Sequence, residues 1–367
     1  MITKIQIVNF KSIKVADVNL KSLNILIGAN GAGKSNFINC FKMLNKIYNQ
    51  DLRTYVAEQG GVNNILYFGR KKSKKLSFKV FFDNINYYDV RLNPDAKNAF
   101  FFEAEENGFN KNYNFLEKQP NWHTEQSSQG LKESQIKEQT TQNRYKYLNK
   151  YLDSFRVYHF HDTSASARVK APSQVADNRF LREDGANLAA FLYYLQKKYP
   201  PNFKLIEATI KSIAPFFKKF NLIPSADNKK YIALEWQDIN GSDSLFDASN
   251  LSDGTLRMMC LTTLLLQPEL PQTIIIDEPE LGLHPFAINK LAGLLRIASK
   301  KTQIIISTQS VNLIDNFEPE DIVVVDRDKK EEQSTFRSLK PKELDRWLQD
   351  YSLGEIWDKN LIGGRPV

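Results

Sequence analysis

The chain has 367 residues, 42% of them hydrophobic, and its 50 lysines and arginines outnumber its 42 aspartates and glutamates, which gives a formal charge of +8. This composition is typical of a globular protein and excludes a fibrous or wholly disordered chain, and the apolar runs are far shorter than the roughly 18 to 20 residues that cross a bilayer. The chain has only two cysteines and its N-terminus lacks signal-peptide features, so we expect a cytoplasmic protein without disulfides or a membrane partner. The excess of basic residues permits a polyanionic ligand.

The first third of the chain is predicted to form strands followed by a helix. Residues 1–7 alternate like a strand, and the apolar run at 23–27 ends in glycine. Phe37, Phe41, Leu44 and Tyr48 then recur at helical spacing. Alternating residues at 76–82 and 88–92 predict an antiparallel hairpin, and so a β-rich lobe.

The middle of the chain changes character. Residues 105–144 are rich in Asn, Gln, Glu, Lys and Ser, which predicts an insertion that is mobile or weakly helical. A strand is predicted at 155–160, followed by helices at 185–199 and 203–220.

The last third alternates helices and strands, which predicts a mainly parallel sheet. Helices are expected at 256–266 and 286–298, and strands at 273–276, 303–306 and 322–325. We therefore divide the chain into an N-terminal head part, a polar insertion, a helical lobe, a C-terminal head part and a tail, at 1–104, 105–150, 151–250, 251–326 and 327–367.

Residues 28–35, GANGAGKS, match the phosphate-binding loop pattern and lie between a predicted strand and a predicted helix, as its mechanism requires. Glycines let backbone N–H groups turn towards phosphate oxygens, Lys34 neutralises charge, and the Ser35 hydroxyl can ligate magnesium. The alternative is a glycine-rich turn without a ligand. The pattern favours ATP with Mg²⁺, with contacts from Asn30, Gly31, Ala32, Gly33, Lys34, Ser35 and Asn36.

The predicted strand at 273–276 delivers two carboxylates to its C-terminal end, where ligands of parallel α/β sheets bind. Asp277 is suited to hold magnesium together with Ser35, and Glu278 to act as general base or to orient the attacking water. The alternative is a pair of solvated acids at a strand end.

Two further segments carry a resemblance to a family. Residues 251–255, LSDGT, resemble the signature motif of ABC-type ATPases and begin 26 positions before Asp277. Residues 277–285, DEPELGLHP, resemble the Walker B motif and D-loop of the RecF/SMC-like branch, with His284 at the D-loop position where transporter ATPases carry aspartate. The opening residues 9–13, NFKSI, are also similar to that branch, and the chain resembles the ATPase part of overcoming-lysogenization-defect nucleases.

The resemblance implies a fold and a cycle. The fold is an α/β ABC-type P-loop ATPase head with a β-rich lobe, a mainly parallel sheet core and a helical lobe. Two heads form a homodimer around two ATPs, so that Ser252 and Gly254 contact the nucleotide held by the other copy. The alternative for Ser252 is a plain helix cap.

One position departs from the family pattern. The switch histidine is expected after the strand at 303–306, and Gln309 stands there. Glutamine donates a hydrogen bond but cannot become cationic, so we expect it to act in catalysis with slow turnover. No Q-loop glutamine is evident. His161 and Asp162 occupy roughly that region and are expected to face either the nucleotide or the lobe interface. A zinc site from His159 and His161 is less favoured.

Three functions remain open. The first is a head that senses or clamps double-stranded DNA, in defence or in housekeeping repair. Its candidate phosphate contacts are Lys11, Arg70, Lys71, Lys72, Lys74 and Lys75. The alternative for the cluster at 69–75 is a solvated hairpin turn. The second is a transporter subunit, disfavoured by the 218 positions between Lys34 and Ser252. The third is control of a separate nuclease or toxin effector in anti-phage defence, because no nuclease domain follows the core. The aromatic tail either caps the domain or docks a partner.

Overall fold

The computed structural model describes residues 1–113, 119–139, 143–241 and 244–365. Its strands are β1 Ile2–Phe10, β2 Ile13–Asn19, β3 Leu23–Ile27, β4 Leu76–Phe82, β5 Asn86–Pro94, β6 Phe100–Asn110, β7 Trp122–Ser128, β8 Val157–Tyr158, β9 Ser173–Gln174, β10 Phe217–Asn221, β11 Tyr231–Ile232, β12 Glu235–Asp238, β13 Leu245–Asp247, β14 Thr273–Asp277, β15 Gln303–Thr308, β16 Ile322–Asp328 and β17 Gln333–Ser338.

The helices complete the order of elements. They are α1 Lys34–Tyr48, α2 Leu52–Glu58, α3 Gly69–Lys72, α4 Asn143–Asp153, α5 Leu188–Lys198, α6 Pro200–Ile213, α7 Asp253–Leu266, α8 Pro285–Ala298, α9 Val311–Ile314, α10 Pro341–Leu344 and α11 Leu353–Asp358. Within the described residues, none of these helices is long and apolar enough to cross a membrane.

The central sheet has the strand order β17-β16-β3-β15-β14-β8, and all neighbouring pairs are parallel except β16 with β17. Parallel sheets are covered on both faces, which explains the continuous isoleucine runs of β14 and β15. Ile275 and Ile305 pack on the side of α1, whereas Ile274 and Ile304 pack on the side of α7 and α8. The sheet therefore holds the ends of β3, β14 and β15 in fixed register.

A second, antiparallel sheet has the order β2-β1-β4-β5-β6-β7 and forms the β-rich lobe. The predicted pairing of residues 76–82 with 88–92 is confirmed by the register of β4 and β5. The helical lobe lies on the face of the central sheet that is opposite to α1. It consists of α5, α6, α7 and the small sheet β10-β12-β13.

The prediction of a mobile or weakly helical insertion at 105–144 was wrong where two strands lie. β6 continues to Asn110 and β7 pairs with it, whereas a 3-10 turn at Ile136–Glu138 and the start of α4 are helical. The polar composition misled because the buried Glu105 carboxylate accepts hydrogen bonds from Tyr88, Ser128 and Ser134, so polar residues form part of the interior. Residues 114–118 and 140–142 lie outside the described residues.

The predicted helix at 203–220 was also wrong in its second half. α6 ends at Ile213, and Phe217 begins strand β10, which pairs with β12. Pro215 explains the break, because proline disfavours helical geometry at the preceding residue and cannot continue the helix.

The tail contributes to the core. β17 adds an antiparallel strand beyond β16, and Leu353, Ile356 and Trp357 of α11 are buried in the same cluster as α7 and α8. These side chains therefore cap the domain, while Trp347 and Leu348 are exposed.

Candidate active site

The phosphate-binding loop lies where the sequence predicts it, between the fully buried strand β3 and helix α1. Gly31 and Gly33 have φ angles of 79° and 120°, a region that favours glycine. A Cβ atom at Gly33 would lie 2.0 Å from the Ser334 Oγ. This glycine is therefore required both by its backbone conformation and by the close approach of β17.

A chain of hydrogen bonds braces the loop from outside. The Asn36 amide donates to the Ser12 hydroxyl at 2.7 Å, Ser12 lies 2.7 Å from the Ser334 hydroxyl, and Ser334 donates to the Ala32 carbonyl at 2.6 Å. Sequence reasoning missed Ser334, and no local pattern points to it, because its partner lies 302 positions away. Asn36, predicted as a nucleotide contact, is engaged in this brace.

Lys34 is buried, and its ammonium donates to the carbonyls of Gly28 at 2.6 Å and Ala29 at 3.2 Å. Burial lowers the pKa of Lys34, and the carboxylates of Glu278 and Asp277 act in the opposite direction. The ammonium is therefore bonded to the loop and interacts electrostatically with the acidic end of β14.

The acidic strand end brings the two predicted catalytic residues into contact. The Gln309 side-chain amide donates to the Glu278 carboxylate, and Ser307 donates to Asp277. Glu278 has a φ of 45°, a strained backbone conformation of the kind that collects at functional sites. The parallel register of Asp277 with Ser307 sets this geometry.

Glu280 was missed by sequence reasoning, although it stands two positions after Glu278 in the same motif. Its Oε1 accepts from the Thr308 hydroxyl at 2.5 Å and from the Gln309 backbone N–H at 3.3 Å. Burial raises the pKa of Glu280 above its usual range, while these hydrogen bonds act against the shift.

The signature and the D-loop form a separate cavity of about 430 Å³, lined by Ser252, Gly254 and His284 among others. Ser252 caps α7 by accepting from the Thr255 N–H at 3.2 Å, and the His284 Nδ1 accepts from the Phe286 N–H at 3.2 Å. The capping alternative for Ser252 is thus realised, and its contact with ATP across a dimer stays a prediction. Within the described part of the chain, which includes the whole P-loop, no P-loop residue lines this cavity.

Arg257, also missed, connects three segments. From helix α7 its guanidinium donates to the carbonyls of Phe160 at 3.0 Å, His161 at 2.8 Å and Leu281 at 2.5 Å. It therefore joins the signature helix to the D-loop and to the segment where a Q-loop is expected. Asp162, predicted to face the nucleotide or the lobe interface, accepts from Ser164 in a local turn.

Two cavities of about 470 and 720 Å³ flank the P-loop and share Arg327 and Glu332. The smaller is lined by Ala29, Asn30, Gly31 and Ala32, and the larger by Ser12 and Asn36 among others. Together they provide space beside the phosphate loop for the sugar and base of a nucleotide.

The predicted basic hairpin is instead the one-turn helix α3 followed by an extended stretch. Phe68, at a φ of 50°, and Gly69 start the turn, and the Ser73 N–H closes it on the Gly69 carbonyl. The four lysines are exposed, whereas Arg70 is half-buried and bonded to Asn98. The lysines are Lys71, Lys72, Lys74 and Lys75.

Arg70 and Lys71 also line the larger cavity beside the P-loop. Lys11 lines the same cavity but is less accessible than the four lysines, since burial lowers the pKa of its ammonium, which donates to Gln59 at 3.1 Å.

Comparison with known proteins now identifies the family. Residues 23–315 match the sequence model of the family described as "AAA domain, putative AbiEii toxin, Type IV TA system". This match spans well over half of the chain, so the protein belongs to that family of ATPase-type AAA domains. Comparison with curated protein sequences gives no significant match.

Solved structures support the fold. The chain is similar to an Smc head bound to the C-winged helix domain of ScpA, with a TM-score of 0.60 and 13% identity over 94% of this chain and 99% of that one. It is also similar to an Smc head with an extended coiled coil bound to the C-terminal domain of ScpA, derived from Pyrococcus furiosus. That match has a TM-score of 0.55 and 13% identity over 95% and 98% of the two chains. The predicted ABC-type head fold, similar to SMC heads, is confirmed.

Proposed function

We propose that the protein binds ATP with Mg²⁺ and hydrolyses it slowly within a homodimer that encloses two nucleotides. The observation that carries this proposal is the buried Lys34 ammonium, which bonds to the Gly28 carbonyl of the P-loop and interacts electrostatically with Asp277 and Glu278, the latter hydrogen-bonded to Gln309. Ser35 and Asp277 would hold the magnesium ion, which neutralises phosphate charge when bound. The P-loop N–H groups and Lys34 bind the phosphates.

Each remaining group has a distinct part in hydrolysis. Glu278 takes the proton of the attacking water, and Gln309 holds that carboxylate through its side-chain amide. The Gln309 amide is neutral, so it stabilises the negative charge that develops in the transition state less than a histidinium would. We therefore expect slow turnover.

The separate location of the signature cavity supports the dimer. A γ-phosphate held by Lys34 meets no signature residue of its own copy, since the cavity with Ser252 and Gly254 contains no P-loop residue in the described chain, which includes the whole P-loop. A second copy in twofold arrangement would supply these donors to each nucleotide.

The test is ATP-dependent association. Glu278→Gln should keep nucleotide binding and block hydrolysis, so we expect it to form a stable dimer with ATP in size-exclusion chromatography with light scattering. Lys34→Ala, which removes the phosphate-binding cation, should remain monomeric and bind no ATP. A Glu278→Gln protein that stays monomeric at saturating ATP would contradict the sandwich model.

For DNA, support comes from four exposed lysines that immediately precede strand β4 of the β-rich lobe. We propose that they contact phosphates of double-stranded DNA. Charge reversal to glutamate should lower the affinity and flatten its salt dependence, by about 0.9 in logarithmic slope for each lost phosphate contact. The control reverses four lysines that are exposed elsewhere, Lys229, Lys230, Lys300 and Lys301. An equal loss in both proteins would remove the specific role of the cluster, Lys71, Lys72, Lys74 and Lys75.

The wider role is proposed as control of a separate effector, a nuclease or a toxin, in anti-phage defence. The family description names a toxin of a toxin–antitoxin system, and the similar Smc heads are bound to domains of ScpA. Housekeeping DNA repair is the alternative. Loss of protection against phage in Lys34→Ala cells would favour defence, whereas sensitivity to DNA damage alone would favour repair.

A further inference from the structure

Glu280 is a carboxylate with only 9% of its surface exposed. A buried carboxylate loses its hydration, and hydrogen bonds must compensate for that loss. Oε1 has two donors, the Thr308 hydroxyl and the Gln309 backbone N–H, but Oε2 has no hydrogen-bond partner among the described residues. An apolar side chain would fill this place at lower cost, so the carboxylate needs an explanation beyond packing.

The explanation begins with Gln309, which is held at two points. Its side chain donates to Glu278, and its backbone N–H donates to Glu280. The Thr308 hydroxyl donates to Glu280 and in turn accepts from the Ser310 N–H at 3.0 Å. The end of β15 is therefore fastened to the segment that contains both glutamates, and the orientation of the Gln309 side chain depends on both attachments.

The same segment leads directly into the D-loop. The Leu283 N–H donates to the Glu280 carbonyl at 3.0 Å, and Arg257 holds the Leu281 carbonyl. His284 follows at the signature cavity, where a second copy would dock. A displacement of the D-loop by that copy would move Glu280, and Glu280 would move the backbone of Gln309.

We propose that Glu280 is a positioning residue that transmits the placement of the D-loop to the pair of Glu278 and Gln309. This inference rests on the proposed function, because it requires ATP hydrolysis in a dimer. Glu280 itself touches neither the nucleotide nor the attacking water. It brings the pair into hydrolytic geometry when a second copy engages the signature cavity, which makes hydrolysis dependent on association.

The experiment compares two substitutions at this position. Glu280→Gln keeps an oxygen that accepts both hydrogen bonds but loses the charge that strengthens them, so we expect kcat to fall about tenfold. Glu280→Ala leaves Thr308 and Gln309 without their acceptor, and a misplaced catalytic group commonly costs about 100-fold in rate. In both variants the KM for ATP should stay within about twofold, because phosphate binding does not involve Glu280.

A matched pair of variants tests the path through Thr308. Thr308→Val removes the hydroxyl that reaches Glu280 and should lower kcat, and Thr308→Ser, which keeps the hydroxyl, should recover most of that loss. The control is Glu207→Gln, since Glu207 of α6 is a less buried carboxylate that also accepts a backbone N–H, from Phe220 at 2.8 Å. It should change the stability of its lobe and leave kcat unaltered.

The outcomes separate this inference from the proposed function. If the wild type hydrolyses ATP and Glu280→Ala retains its kcat, or raises KM with kcat unchanged, the positioning role is overturned while the proposed function stands. If the wild type binds ATP without hydrolysing it, the proposed function fails. Amide hydrogen exchange then tests whether Glu280 holds the backbone N–H of Gln309. Exchange of that N–H that is equally slow in wild type and Glu280→Ala would overturn the positioning role as well.

Discussion

The two halves of the nucleotide site differ in how completely one chain builds them. The P-loop half has a buried lysine, Lys34, and is braced by contacts from distant segments, including the chain from Asn36 through Ser12 to Ser334. The signature half is an open cavity whose polar groups are satisfied locally, as in the caps formed by Ser252 and His284. The difference agrees with the proposed dimer, in which phosphate binding is prepared within one copy and hydrolysis requires a second.

The largest expected effect comes from Gly254, where a Cβ atom would lie 2.7 Å from the Gly282 carbonyl oxygen. Gly254→Ala should push the signature helix away from the D-loop and weaken ATP-dependent dimerisation by about 100-fold, the equivalent of about 2.7 kcal/mol and within the usual cost of overpacking. Affinity of the monomer for ATP should not change, because the P-loop half is untouched. Analytical ultracentrifugation and equilibrium nucleotide binding measure the two quantities.

Gly293 offers the control for this substitution. It lies inside α8, and a Cβ atom there meets nothing within 4 Å. Gly293→Ala should stabilise the helix by up to about 1 kcal/mol and leave dimerisation unchanged. If Gly254→Ala weakens nucleotide binding by the monomer as well, the two halves are not independent.

A smaller effect, of opposite sign, is expected at Gln309. Gln309→His places a group that becomes cationic beside Glu278, and general acid–base groups accelerate reactions strongly, so we expect turnover to rise by about tenfold. Steady-state hydrolysis of ATP by the dimer measures it. Turnover at or below that of the wild type would show that the glutamine does not limit the rate.

The smallest effect is expected at Ser334. Ser334→Ala removes the hydroxyl that donates to the Ala32 carbonyl, which should weaken ATP binding by about fivefold, the equivalent of one hydrogen bond of about 1 kcal/mol. Isothermal titration of the monomer measures this loss. Ser338→Ala, at an exposed residue of the same strand, is the control and should bind ATP like the wild type. An unchanged affinity in Ser334→Ala would show that the P-loop keeps its shape without the brace.

How far the sequence predicts this site depends on the distance between partners along the chain. Lys34 and Asp277 were predictable because their roles follow from short motifs at the ends of apolar strands. Ser334 was not, since it acts on a carbonyl 302 positions away. Glu280 stands inside a recognised motif and Arg257 two positions after one, but their contacts with Thr308 and with the Phe160 carbonyl depend on how distant segments pack.

The same reasoning applies to the fold. The isoleucine runs of β14 and β15 predict buried parallel strands because their period needs no partner to be recognised. β7 was missed because its residues are polar: it is an edge strand with mostly exposed or half-buried side chains, and its one buried residue, Ser128, donates to Glu105 on the neighbouring strand. A buried polar network leaves no periodic apolar signal in the sequence.

The strand order of the central sheet has a consequence for how the protein is synthesised. β3, which leads into the P-loop, pairs only with β15 and β16 among the described strands, and Asn24 bonds to a carbonyl 280 positions further along. A nascent chain therefore exposes this strand on the ribosome until most of the polypeptide has emerged. Pairings over such separations form slowly, so β3 stays open to non-native contacts during translation.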